Sequence, residues 1–228
     1  MAVPSRRYSQ PVKPGLKSGI IAAVAIAVIV GSCLWIYFTQ FRAAQHNVGL
    51  HRHIGAVLAE QTAKAAGRKG HVVIITIDTR DWPELYTQLA AFKVALKKLG
   101  DYDVKEYQMD TKDQPKYGVG SGLSGRRYVR TAKKNPNADV FVSFVGAPKL
   151  TQEEVAELGT KPKLIVESRS GDNVPGLFEN KLALAAVVSR FQFPAPVPAK
   201  PKTPEEWFTK RYQILTADNV ALLPKPVE

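Results

Sequence analysis

The chain has 228 residues, one cysteine and a formal net charge of +12, from 32 Lys and Arg against 20 Asp and Glu. A lone cysteine forms no internal disulfide, which excludes a small cross-linked scaffold. Six of the bases and none of the acids precede Glu60, leaving 26 bases against 20 acids in the remainder; that part is only mildly basic, and a nucleic-acid partner is set aside.

Residues 1–19 are a basic flank carrying Arg6, Arg7, Lys13 and Lys17. Residues 20–38, IIAAVAIAVIVGSCLWIYF, carry no charge. As a helix at about 1.5 Å per residue this run spans about 28 Å, close to the hydrocarbon thickness of a bilayer, and it predicts one transmembrane helix. The bases ahead of it put the N-terminus in the cytoplasm and everything after it outside, in the periplasm of a bacterium. The basic flank also suits anionic lipid, so the bilayer itself is an expected partner. Val30-Gly31-Ser32-Cys33 admits a second reading, because it resembles a lipoprotein cleavage box with Cys33 as the lipidated residue. Leu34 to Phe38 continue the apolar run, and Trp35 and Tyr37 suit an interfacial belt, which favours the uncleaved span. Both readings export the domain.

Residues 39–70 read as a helical stalk, with Val48, Ile54, Val57 and Leu58 at mixed apolar spacing and Gly67 as the stop. His46, His51 and His53 fall here without a neighbouring cysteine or acid, which is the pattern of an exposed helix face rather than of a metal site.

Residues 71–193 change character. HVVIITID, from His71 to Asp78, is the continuous β-branched run of a strand buried on both faces. Asp81-Trp82-Pro83-Glu84 predicts a helix start with Asp81 as cap, and Leu85, Leu89, Phe92, Leu96 and Leu99 carry the helix to Gly100. Asp103 to Asp110 reads as a polar, edge-lying strand. Ser124 to Lys134 is a short basic helix, and Ala138 to Val145 a buried strand. Thr151-Gln152-Glu153-Glu154 is a capping box, Lys163 to Glu167 a fourth strand, and a short helix near Pro175 to Lys181 leads to a fifth. Strands alternating with helices predict one doubly wound α/β domain with a parallel sheet of about five strands in the flavodoxin-like order 2-1-3-4-5.

Residues 194–203 are a proline-rich linker, stiff and extended. Residues 204–228 open on a third capping box, Thr203-Pro204-Glu205-Glu206, and place Trp207, Phe208, Tyr212 and Leu215 on one helix. Large aromatics need burial, either on their own domain or on a partner, and Trp207, Phe208 and Tyr212 are the candidate partner-binding residues.

In an open α/β sheet ligands gather at the carboxyl ends of the strands. Those ends supply Asp78, Thr79 and Arg80, then Gly146, then Glu167 and Arg169, and Ser124 at the head of the basic helix joins them as a candidate ligand contact. Gly120-Ser121-Gly122-Leu123-Ser124-Gly125 fits GxGxxG in letters only, because a polar loop separates it from its strand and no ribose-binding acid follows. No Walker A lysine follows the glycines. The only cysteine lies in the apolar run and three of four histidines lie in the stalk, so no nucleophilic triad assembles, and neither a catalytic residue, a cofactor nor a metal is expected. The reading is of a non-enzyme.

HVVIITIDTRDWPELYTQLAAFKVALKKLG, NPNADVFVSFVGAP and KLIVESRSGDN together resemble one lobe of the type I periplasmic sugar-binding proteins, over about residues 71–193. The resemblance implies an α/β lobe that closes on a small ligand against a second wall. The chain has length for one lobe, so that wall would come from a partner or a second copy. Two functions follow: an anchored binding or scaffold module, structural subunit of a membrane or envelope complex, and, as the alternative, a solute-binding lobe for a sugar or small anion serving a transporter or sensor.

Overall fold

The computed structural model describes residues 16–37, 46–109, 122–159, 163–190 and 201–223. The chain divides into two compact units, residues 1–45 and 46–228.

In the first unit, helix α1 runs Leu16–Ile36. Its stretch Gly19–Ile36 has a mean hydropathy of 2.6, and none of it is buried. By length and composition it suits either a membrane span or a signal sequence. Cys33 is exposed on it, and the expected end at Phe38 lies outside the described residues.

The second unit is built on a six-stranded sheet. In chain order its described elements are α2 (Val48–Ala66), β1 (Lys69–Thr76), α3 (Pro83–Leu99), β2 (Asp101–Gln108), β3 (Leu123–Ser124), α4 (Gly125–Lys134), β4 (Val140–Ser143), β5 (Pro148–Lys149), α5 (Gln152–Glu157), β6 (Lys163–Ser168), α6 (Val174–Glu179), β7 (Ala183–Ser189), α7 (Pro204–Arg211) and β8 (Tyr212–Leu215). The sheet order is β2-β1-β4-β6-β7-β8. Its first five strands are parallel, pairing Val73 with Phe141, Phe141 with Leu164, and Val166 with Ala186. They reproduce the expected order 2-1-3-4-5. β3 and β5 form a separate two-residue pair.

The central strands are apolar along their length because both faces are covered. Phe141 on β4 meets Tyr128 of α4 edge-on at 5.9 Å, and Phe144, just past β4, meets Phe92 of α3 at 5.3 Å. Side chains alternate along a strand, so these two contacts mark helices on opposite faces. The Tyr128 hydroxyl is fully buried with no hydrogen-bond partner, and burial pushes its pKa up.

Three sequence expectations are corrected. The first concerns the stalk: α2 is a core helix. Leu50, Ile54 and Leu58 are at most 2% exposed, and their spacing is a core-facing stripe. A Cβ on Gly55 would stand 2.2 Å from the Gln88 carbonyl oxygen, so this glycine is what lets α2 and α3 approach so closely. The second concerns Asp81, which does not cap α3. The cap position is Trp82, without a side-chain bond, and Pro83 starts the helix.

The third concerns the tail, which is not one helix. α7 stops at Arg211, and Tyr212–Leu215 pairs antiparallel with β7, Leu215 opposite Ala186. Thr203 caps α7 as expected, accepting from the Glu206 N–H at 3.2 Å. Alternation explains the change: Tyr212-Gln213-Ile214-Leu215 is β-prone, and the edge of β7 offers it a ladder that a further helical turn would forfeit. Most of the proline-rich linker lies outside the described residues.

Candidate functional site: the carboxyl rim of the sheet

Because β1, β4, β6 and β7 run parallel, their carboxyl ends share one rim. The N-terminal ends of α2 and α3 arrive at the same rim. α2 ends at Ala66, just before β1 begins, and α3 starts just after β1 ends.

At the end of β1, Asp78 folds back on its own loop. Its carboxylate accepts from the Arg80 backbone N–H at 3.1 Å and from Arg80 Nε at 2.7 Å, and it also forms an ion pair with Arg80 Nη2. These bonds hold its carboxyl below the usual carboxylate range. The Arg80 side chain is 85% exposed. Thr79 is half-buried, and its carbonyl accepts from the Trp82 N–H at 3.0 Å. This corner of the rim is open to solvent.

After β4, Ser143 Oγ donates to the Gly146 carbonyl at 2.7 Å, and Gly146 has φ of 97°. The turn needs that left-handed backbone, which favours glycine. Gly146 is buried, whereas Ser124, one residue ahead of α4, is exposed. Gly125 is pressed against β5, since a Cβ there would stand 2.3 Å from the Lys149 carbonyl oxygen. Its place in the glycine-rich run is therefore explained by packing.

At the end of β6 the rim holds one buried acid. Glu167 is 1% exposed. Burial raises its pKa to about 7, Arg169 opposes that rise and Glu84 adds to it. The Arg169 guanidinium is spent on Glu84 of α3, Nη2 to Oε2 at 3.0 Å. Tyr212, at the head of β8, stands in the same electrostatic group, and burial pushes its phenol up to about 12. On α2, His51 Nδ1 lies 3.0 Å from Gln88 Nε2 of α3, and burial lowers the imidazole to about 4. Gln88 then donates, and Nδ1 of a neutral ring accepts. His46 reaches Thr87 Oγ1 at 3.0 Å.

The structure thus gathers buried Glu167 with half-buried Arg169 and Tyr212 into one electrostatic group, and leaves Arg80 and Ser124 exposed with Asp78 half-buried. Sequence reasoning missed Glu84, Gln88 and His51 as members of that group. The signal for His51 was present, because it falls on the Leu50–Ile54–Leu58 stripe, but the stripe was read as a stalk. In the sequence Glu84 reads only as part of the Asp81-Trp82-Pro83-Glu84 helix start. Among the described residues no three His, Cys, Asp or Glu side chains converge as a metal site.

Of the tail aromatics, Phe208 is 7% exposed. It meets His53 edge-on at 5.1 Å and stacks on Tyr212 at 5.8 Å. Trp207 is half-buried under Arg211, whose guanidinium carbon lies 4.6 Å from the ring centroid.

No protein-family model matches the chain, and no curated protein does. Solved structures do. A solute-binding protein of an ABC transporter from Burkholderia graminis, in complex with D-arabinose, matches with a TM-score of 0.52 and 20% identity, over 77% of this chain and 62% of that one. AraP, an arabinose-binding protein from Geobacillus stearothermophilus, matches with a TM-score of 0.52 and 17% identity, over 76% of this chain and 63% of that one. The fold is that of the type I periplasmic sugar-binding proteins. The chain spans less than two thirds of the length of either.

Proposed function

We propose that this chain is a membrane-anchored, extracytoplasmic solute-binding module that takes a small polar ligand, a sugar or a small anion, on the open corner of its carboxyl rim. The helix Leu16–Ile36 serves as the anchor, with the N-terminus in the cytoplasm. Asp78, Thr79, Arg80 and Ser124 present the ligand contacts. Gly146 shapes the adjoining turn, and Arg169 with Glu167 forms the floor beneath. A transporter or sensor component supplies the facing wall. The observation that carries this reading is the coincidence of the fold of solved arabinose-bound proteins with the exposed Arg80 guanidinium, paired to half-buried Asp78, at the carboxyl end of β1, where open α/β sheets receive ligands.

The competing reading, a scaffold in an envelope complex, rests on the anchor, the single lobe and the aromatic tail. Phe208 stacks on Tyr212 and belongs to the domain's own core, so the tail no longer favours it.

The test is a thermal-shift series on the detergent-solubilised chain with pentoses, hexoses and small anions. A ligand that binds the native state raises the melting temperature with its concentration. A concentration-dependent rise with one ligand class supports the module. A flat response throughout, together with a partner protein retained on the chain, supports the scaffold instead. A reporter fused after Glu228 checks the topology, with activity expected only outside the cytoplasm.

A further inference from the structure

Strand β2 is the open edge of the sheet, with β1 on one side and no strand on the other among the described residues. It is eight residues long, DYDVKEYQ, and Asp101, Asp103, Val104, Lys105 and Glu106 are exposed. A long open edge invites another strand, and proteins ordinarily guard such edges with charge. Here the charges are arranged in a particular way.

The backbone fixes which residues face outward. The Asp101 N–H donates to the Arg68 carbonyl at 2.9 Å, and the Met109 N–H to the Thr76 carbonyl at 2.8 Å. Odd-numbered residues therefore bond to β1. The N–H and C=O groups of Tyr102, Val104 and Glu106 point away from the sheet, since a strand alternates its bonding side residue by residue.

A second copy of β2 laid antiparallel along this edge must bring even residues opposite even residues. That restricts the two-fold registers to those centred on a single residue. Centring on Asp103 sets Asp103 against itself, and centring on Lys105 or Glu106 does the same for those charges. Centring on Tyr102 sets Asp101 against Asp103. Centring on Val104 avoids every like-charge pair. It places Asp103 opposite the second copy's Lys105 twice over, in the closely spaced non-hydrogen-bonded positions, while Val104 meets Val104 on the axis and the two exchange backbone bonds. Tyr102 then stands opposite Glu106.

The face toward α3 has room for this. A groove of about 640 Å³ belongs to α4 and α5, but a separate cavity of about 410 Å³ runs along β2 itself, lined among others by Leu96, Tyr102, Val104 and Glu106. Val104 is 40% exposed there, and Lys93 of α3 already pairs with Glu106. On the opposite face Asp103 lies 3.0 Å from His71 Nδ1.

We propose that two copies of this chain associate through β2, antiparallel and centred on Val104, joining their sheets into one. The charges at Asp103 and Lys105 admit this register and reject the neighbouring ones. The surface lies on the sheet's edge rather than its carboxyl rim, so the proposal stands apart from ligand binding.

The test uses the full chain in detergent with Cys33→Ser, so that introduced cysteines are alone. Val104→Cys is expected to form a disulfide-linked dimer on mild oxidation, because Cα atoms about 5.5 Å apart at such a position permit the bond. Gln108→Cys, far from its own symmetry mate, is expected to form none. By light scattering, Asp103→Lys alone or Lys105→Asp alone is expected to weaken the dimer about tenfold or more. The double reversal Asp103→Lys with Lys105→Asp restores complementarity and the dimer with it. A dimer held by α1 would ignore these charges. A monomeric wild type, equal cross-linking at 104 and 108, or a double reversal no better than the singles would overturn the proposal. Circular dichroism of each variant confirms that it is folded.

Discussion

The two sides of the carboxyl rim use the same residue types in opposite ways. On the β1 side, Asp78 and Arg80 pair with each other within three residues, and Arg80 stays in water. On the β6 side, Glu84, Glu167, Arg169, His51 and Tyr212 are drawn from four elements or their ends, α3, β6, α2 and β8, with Glu167 and His51 buried and Glu84 and Arg169 paired at the half-exposed margin. The first arrangement is local and leaves the Arg80 guanidinium in reach of solvent. The second places Glu167, His51 and Tyr212 where water is scarce, and their pKa values move accordingly. Acids and bases at a rim are thus not equivalent as site candidates: Glu167 and His51 are buried in the fold, whereas the exposed Arg80 beside Asp78 stands at the corner proposed to receive a ligand.

The largest effect is expected from uncovering the β6 side. Phe208→Ala removes a ring buried against His53 and Tyr212. Large-to-small changes of this kind cost about 3–5 kcal/mol. The melting temperature should fall on the order of 10 °C, measured by calorimetry, whereas a tail serving only a partner would leave it unchanged.

Glu167 comes next. Its folded pKa, about 7, lies above its ordinary value of 4.5. Between those limits the unfolded chain releases a proton that the folded chain keeps, so stability falls as pH rises from about 4.5 to 7 and is level above that. His51 slopes the other way, because its folded value of about 4 lies below 6.5, and its contribution is lost as pH falls from about 6.5 toward 4. Glu167→Gln should remove the first slope and raise stability at pH 8 by roughly 3 kcal/mol, the equivalent of that shift. Denaturant melts at several pH values measure this, and a variant that keeps the wild-type pH profile would refute the assignment. The His51 ring signals in NMR should remain those of a neutral imidazole at pH 5.

Tyr128→Phe tests whether a buried polar atom without a partner is a cost. Deleting the unpaired hydroxyl should stabilise the chain by about 1 kcal/mol. The smallest stability effect belongs to the open corner. Asp78→Asn should change unfolding free energy by less than about 0.5 kcal/mol, as surface substitutions generally do.

Much of the architecture was legible in the sequence. HVVIITID, ADVFVSFV and KLIVE are short runs rich in β-branched and aromatic residues, as doubly covered parallel strands are, and Thr151 and Thr203 announced their helices through side chains that do cap. What escaped depended on distant contacts. The Leu50–Ile54–Leu58 stripe shows that α2 has an apolar face but not what covers it; the decisive feature is Gly55 against Gln88, a contact made across two helices. Nor does Tyr212 reveal that it will pair with Ser189 rather than extend a helix, since β7 supplies the ladder. The site was half legible for the same reason. Asp78 and Arg80 interact within a loop, whereas the Glu84–Arg169 pair joins residues 85 positions apart.

The most direct test of the central claim is ligand binding by the full chain with and without the open corner's carboxylate. Titration calorimetry with pentoses, hexoses and small anions should find at least one that binds wild type, with affinity at least about tenfold weaker in Asp78→Asn, the usual scale for a hydrogen bond to a charged group. The melting temperature of the free variant should stay at the wild-type value. Binding unchanged in Asp78→Asn, or no binding by wild type to any of them, would contradict the account.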